Sequence, residues 1–169
     1  MFAILLDVGS GTPSKFHQFL IGEKIIHADI DKKAFHLEVV CDIHNLPFKT
    51  NSFNVVHASH ILEHVNNPLK AIKELKRVSN GIVIIKVPNA SFYKWKGLSS
   101  DHIFSWNEFT LHNLLSRLFP KVRINGTTRQ IKMSKLNQFF KLIISLFYGR
   151  DQLTAVCYIE KVHAVAKKR

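Results

Sequence analysis

Short unbroken apolar runs alternate with segments in which apolar residues recur every three or four positions. Ala3–Leu6 is the first run; it ends on Asp7 and drops into Gly9-Ser10-Gly11. Runs apolar on both faces mark parallel strands buried in the middle of a sheet. Lys24–Asp29, Glu38–Cys41, Phe53–His57 and Ile82–Val87, the last stopped by Pro88, continue the series. Between them Phe16, Phe19 and Leu20 lie at helical spacing up to Gly22, and Asp31 can cap a brief helix to Leu37. A short turn of helix at Ile61–Val65 precedes Asn67-Pro68, a cap and first-turn pair. The helix it opens has Leu69, Ile72, Leu75 and Val78 on one face and ends at Asn80-Gly81. Strands and helices in this order predict a parallel sheet with right-handed crossovers, its ligand lying across the carboxyl ends of the strands.

The second half is less regular. Asn89–Phe104 shows no periodicity and carries Phe92, Tyr93, Lys94, Trp95, Lys96 and the pair Asp101-His102. Ser105-Trp-Asn-Glu108 has the spacing of a capping box, which predicts a helix through Leu118. Lys121–Arg129 and Leu153–Lys161 alternate as a final antiparallel pair. Between them, Lys132–Tyr148 winds Met133, Leu136, Phe139, Phe140, Ile143, Ile144, Leu146 and Phe147 over roughly half of a helical wheel. Packing on the sheet would cover part of that arc; a second copy of the chain (a homodimer) or a membrane surface would cover the rest.

Composition narrows this picture. The 169 residues, 46% hydrophobic with 13 Phe, predict one folded domain over 1–169. No run approaches the ~18 apolar residues of a membrane span, and Met1-Phe2 leads directly into the first strand, so a cytoplasmic protein is expected. Cys41 and Cys157 lie in apolar runs and read as buried free thiols. No Cys-x-x-Cys pair is present, and no metal is expected. Charge divides the chain: residues 1–80 hold 9 Lys/Arg and 8 Asp/Glu, residues 81–169 hold 15 and 4. The neutral part, 1–88, is expected to bind a cofactor and the basic part, 89–169, with its helical insertion at about 132–148, to face a substrate. Basic charge favours an anionic acceptor, a nucleic acid among them, and Tyr93 and Trp95 could stack on a planar one or pack in the core.

The loop after the first strand carries the chemistry. Gly9 and Gly11 allow a sharp turn and close approach to a ligand, and Thr12-Pro13 can open a helix. A dinucleotide site would want a third glycine where Ser14 stands, which disfavours a dinucleotide-dependent reductase. Asp7 suits a cationic ligand group and would repel a pyrophosphate. Asp29, about twenty residues after the loop, is placed for ribose hydroxyls. An amino-acid-bearing nucleoside satisfies both.

These residues resemble a known family. Asp7-Val-Gly-Ser-Gly11 is similar to the first motif of class I S-adenosylmethionine-dependent methyltransferases. Phe53-Asn-Val-Val-His-Ala-Ser-His-Ile-Leu-Glu-His64 resembles the fourth-strand segment of their type 11 branch, and Cys41-Asp42-Ile43 with Leu46-Pro47-Phe48 its adenine-contacting strand end. The resemblance covers residues 3 to about 115 in order and register. It implies an α/β, Rossmann-like doubly wound sheet of seven mostly parallel strands, the last antiparallel, with S-adenosyl-L-methionine as cofactor. It implies that Asp7 and the Gly9-Ser10-Gly11 backbone hold the methionine moiety, Asp29 the ribose and Ile30 the adenine face. Asp42 and Ile43 would meet the adenine edge, and Ser59 and His60 would line the methyl end. His60 and His102, the latter in the segment that would cover the substrate, are the candidates for catalysis. Asn54 departs from the family, where an acid is usual, and the helix that usually precedes the first strand is absent. The competing reading is a non-catalytic basic module on the same fold, holding nucleic acid or a partner protein.

Overall fold

The computed structural model describes residues 4–11, 24–34, 36–91, 101–125 and 152–159. Among them seven strands form one sheet: β1 (Ile4–Val8), β2 (Lys24–Asp29), β3 (Val39–Val40), β4 (Phe53–Ser59), β5 (Ser79–Pro88), β6 (Lys121–Asn125) and β7 (Gln152–Tyr158). Their order is β3-β2-β1-β4-β5-β7-β6, with β1 to β5 parallel and β7 antiparallel to both of its neighbours. The order reverses between β1 and β4, and that switch point is where open α/β sheets leave a crevice beyond the strand ends.

Two helices are described, α1 (Pro68–Val78) and α2 (Glu108–Leu115). Asn67 caps α1 by accepting from the Lys70 amide at 3.0 Å, and Pro68 occupies the first turn, where a missing N–H is harmless. The buried stripe is Pro68, Ala71, Ile72, Leu75 and Val78; Leu69, expected on that face, is 42% exposed. Ile72, Leu75 and Val78 lie on the expected face, with Pro68 and Ala71 in the place of Leu69. The stripe shares one core with Leu6, Val8, Val56, Ala58, Val83, Ile85 and Ala155 from one face of the sheet, and with Leu111 and Leu115 of α2. Each Val, Leu or Ile side chain buried there contributes about 1.5–3 kcal/mol.

The α1–β5 junction differs from the expected Asn80-Gly81 stop. The helix ends at Val78 and the chain passes straight into β5 at Ser79. Pairing of β5 with β4 shifts register between Phe53 and Val55, where Ser79 and Ile82 are the successive partners, so Asn80-Gly81 form an irregularity inside the strand. A Cβ on Gly81 would lie 2.3 Å from the Asn54 carbonyl oxygen; the glycine is there for close approach of backbones. Asn54 itself accepts from the Ile4 amide at 2.9 Å and donates to Asn80 at 3.3 Å, tying three strands at their amino ends.

The second capping box is also displaced. Asn107, not Ser105, caps α2: it accepts from the Thr110 amide at 2.9 Å, while Thr110 Oγ1 accepts from the Asn107 amide at 3.1 Å. Trp106 is held extended, bridging Asn89 and accepting from the Ala90 amide at 2.8 Å, so a helix cannot begin earlier. The expected turn at 61–65 is a single turn, closed by His64 N–H to the Ile61 carbonyl at 3.0 Å. Asp31 caps one turn only, through the Lys33 and Ala34 amides. The expected helices after Thr12 and over Lys132–Tyr148, and the aromatic residues Phe92, Tyr93 and Trp95, lie outside the described residues. Among the described residues no helix is long and apolar enough to cross a membrane.

Candidate functional site

The residues singled out by sequence converge on the carboxyl ends of β1, β2 and β4. Val8 ends β1, and Gly9 turns away with φ of +70°, its amide donating to the Ala28 carbonyl at 2.8 Å. Gly11 follows at φ of +47°, and its amide donates to Asp29 Oδ2 at 2.9 Å. Asp29 Oδ1 accepts from the Asp31 amide at 2.9 Å, so this carboxylate straps the end of β2 to the glycine loop. Ser10 lies in the turn with its hydroxyl buried, and among the described residues that oxygen has no partner. A Cβ on Gly9 would sit 2.8 Å from Ile61 Cδ1, which places the segment after β4 directly against the loop.

Asp7 is turned elsewhere. Its side chain is 4% exposed, with Oδ1 2.6 Å from His57 Nδ1 and Oδ2 3.7 Å from His27 Nδ1. All three residues stand in one row across the sheet, because Asp7 pairs in register with His27 on β2 and with His57 on β4. The Asp7 carboxylate raises the His27 pKa above its usual 6.5, with Glu38 adding to the effect against the opposing cost of burial. Asp7 is thus bonded to the two imidazoles beside it in the sheet; the resemblance implies a place near the methionine moiety. Neither His27 nor His57 stands out in the sequence, where each reads as an interruption of an apolar run; their alignment with Asp7 exists only once the three strands pair.

Asp42 and Ile43 lie beyond β3. Asp42 Oδ1 accepts from the His44 amide at 2.8 Å and lies 2.7 Å from His44 Nδ1. These bonds, the backbone one foremost, hold the carboxyl below its usual range. Ile43 is buried and Ile30 is 72% exposed, an apolar side chain standing clear beside Asp29. The Cys41 amide donates to the Asp29 carbonyl at 2.8 Å, joining the two acid-bearing ends.

Ser59 and His60 end β4. His60 adopts φ of +53°, a conformation that costs a non-glycine residue of order 1 kcal/mol and concentrates at functional sites. Its amide is held by the Lys86 carbonyl at 2.8 Å, and its Nδ1 lies 3.2 Å from Glu63 Oε1. Glu63 is 1% exposed and is a residue to which sequence reasoning gave no role. Its carbonyl accepts from the amides of Ile103 (2.8 Å) and Phe104 (3.1 Å), which brings the segment holding His102 across to the strand ends. His60 and His102 thus gather around one buried carboxylate. His64 joins them, edge-on to His102 with ring centroids 4.8 Å apart and its Nδ1 3.3 Å from Asp101 Oδ2.

The model of a methyltransferase domain family, type 11, matches residues 6–85. An uncharacterised protein of Methanocaldococcus jannaschii is 35% identical over 94 residues, 51% of this chain and 41% of that one. The chain thus spans about two fifths of that relative's length. Among solved structures, a SAM-dependent methyltransferase from Archaeoglobus fulgidus superposes with a TM-score of 0.63 at 18% identity, covering 94% of this chain and 86% of the other. The plantazolicin methyltransferase BpumL, solved in complex with SAH, gives a TM-score of 0.65 at 15% identity over 92% and 75% of the two chains. At such identities the likeness is one of fold.

Proposed function

We propose, from the match of residues 6–85 to a type 11 methyltransferase domain model and from the fold shared with SAM-dependent methyltransferases, that this chain binds S-adenosylmethionine at the β1 and β2 ends and methylates an acceptor held against the β4 end. The observation that carries this reading is the Asp29 strap: one carboxylate fixes the Gly11 amide at a strand end while remaining only partly buried, open to a ribose. The cofactor also fits the rest of the cradle. Gly9 approaches Ile61 too closely to carry a Cβ, which keeps the loop tight against the end of β4, and among the described residues the buried Ser10 hydroxyl has no partner. Asp29 would accept from ribose hydroxyls, Ile30 would cover one face of the adenine, and Asp42 and the Ile43 backbone would meet its edge. Asp7 acts through the floor of the loop, keeping Gly9 to Gly11 in place for the methionine moiety.

The cofactor, when bound, supplies a methyl group on a cationic sulfur that is already activated for displacement. What remains for the protein is alignment and, where the acceptor is protonated, removal of a proton. Ser59 and His60, at the end of the strand beside the glycine loop, would orient the acceptor, with His102 on the opposite segment. Calorimetric titration with S-adenosylhomocysteine tests the reading. Wild-type protein should bind, and Asp29→Ala should weaken binding at least tenfold, since two hydrogen bonds of about 1 kcal/mol each are lost. Unchanged affinity in the variant would overturn the site, and no binding by wild-type protein would favour the non-catalytic basic module.

A further inference from the structure

Glu63, His64 and His102 each offer a ligand atom, and these atoms lie within 4.8 Å of one another. We infer that the three residues form a binding site for a divalent first-row transition metal beside the glycine loop. The fold brings them together by identifiable means. His64 follows Glu63 in the turn that ends on the Ile61 carbonyl, and the Glu63 carbonyl holds the amides of Ile103 and Phe104. Three donors from two distant segments therefore face each other across a small gap.

Two buried polar atoms at this gap have no hydrogen-bond partner among the described residues. Glu63 is 1% exposed, yet its Oε2 has no hydrogen-bond partner among the described residues. Nor does the buried Nδ1 of His102. A fully buried carboxylate with an idle oxygen is costly unless a cation completes its environment. His60 Nδ1, 3.2 Å from the other oxygen, fixes the carboxylate orientation, as groups behind metal ligands commonly do. Around bonds of ~2.1 Å, donor atoms sit ~3–3.5 Å apart. Closure from the present spacing asks for a shift of about an ångström, which the His64 side chain, 35% exposed, can supply. Two imidazoles and a carboxylate suit zinc or manganese better than calcium. Three protein ligands leave coordination positions open.

The purpose of the metal rests on the reading given under Proposed function. Ile61, between His60 and Glu63, meets the Gly9 position, so the metal would lie next to the expected methyl end of the cofactor. There an open position would bind an oxygen of the acceptor and lower the pKa of a hydroxyl on it, the task for which the site otherwise lacks an assigned base. The class of acceptor favoured is therefore one presenting a hydroxyl oxygen.

The test is titration of chelator-treated full chain with Zn2+ and, separately, Mn2+, read by calorimetry. The expected result is one equivalent bound by wild-type protein and at least tenfold weaker binding in Glu63→Gln, His102→Asn and His64→Ala. S-adenosylhomocysteine affinity, measured in the same samples, should stay within threefold. His64 is partly exposed, so its variant remains informative if the buried Glu63 variant fails to fold. Absence of metal binding in wild-type protein at millimolar metal, or equal binding by His64→Ala and wild type, would overturn the inference. S-adenosylhomocysteine binding in that same sample would leave the methyltransferase reading standing. Metal binding without S-adenosylhomocysteine binding would do the opposite.

Discussion

His57, Asp7 and His27 show how one residue changes meaning with its neighbours. Asp7 reads as a ligand-facing acid in the sequence; in the sheet it is a buried carboxylate shared by two imidazoles, at 2.6 and 3.7 Å. Its effect on His27 can be measured. Because the pKa of His27 is raised in the folded chain, chiefly by Asp7, its protonated form stabilises the fold. That contribution is complete below the ordinary value of 6.5 and is lost as pH rises through the raised folded value. The urea midpoint should therefore fall as pH is taken upward from 6.5, and the fall should flatten in His27→Gln. A midpoint that rises over this range, or an unchanged slope in the variant, would show that the pair does not carry it.

At the scale of elements, the sheet end that presents Asp42 depends on α1. Arg77 donates to both carboxylate oxygens of Glu74 at 2.7 Å, to the Phe48 carbonyl at 2.7 Å and to the Leu46 carbonyl at 2.9 Å. Glu74 Oε2 in turn accepts from the Leu46 amide at 2.9 Å. The planar guanidinium ties the loop to the helix in a way that a lysine could not copy. Arg77 holds the Glu74 carboxyl below its usual range, so this stabilisation is present above pH 4.5 and is lost as pH falls. Arg77→Ala should lower stability by about 1–2 kcal/mol, since the side chain is one-third solvent-exposed and its bonds are partly screened. Hydrogen exchange at the Leu46 amide should accelerate at least tenfold, and Arg77→Lys should not restore it. Normal protection of Leu46 in Arg77→Ala would mean that packing of Phe48 on Phe53, ring centroids 5.0 Å apart, holds the loop alone.

For the whole molecule, the informative property is the division of charge. A net of +12 at pH 7, concentrated after residue 80, accompanies a first half that is nearly neutral. If the acceptor carries phosphates, the basic half concentrates it at the strand ends. Affinity for single-stranded RNA should then fall linearly on a plot of log K against log salt, with a slope of about −0.7 per phosphate contacted. A flat response would assign the charge to the surface alone. The expected apolar face of Lys132–Tyr148, with the homodimer or membrane contact it would imply, lies outside the described residues.

The parallel strands, their order of appearance and the reversed last strand were legible because apolar runs and their punctuation are local signals. So were Gly9, Gly11 and Asp29, since a strand that ends on a glycine turn and a second strand that ends on an acid are contiguous patterns. Where sequence reasoning slipped, a tertiary contact outweighed a local preference. Asn80-Gly81 carries a helix-stop signal, but Gly81 is required within β5, where the Asn54 carbonyl leaves no room for a Cβ. Ser105 has capping-box spacing, but Trp106 is already committed to a bridge with Asn89. The cluster of Glu63, His64 and His102 has no compact ligand spacing along the chain, because His102 lies far from the Glu63-His64 pair in sequence and the contact is made by the Glu63 carbonyl holding two amides of that later segment. Local patterns determined which segments become strands, helices and loops. Which side chains meet beyond the strand ends was decided by strand pairing and burial, which place residues far apart in sequence within hydrogen-bonding reach.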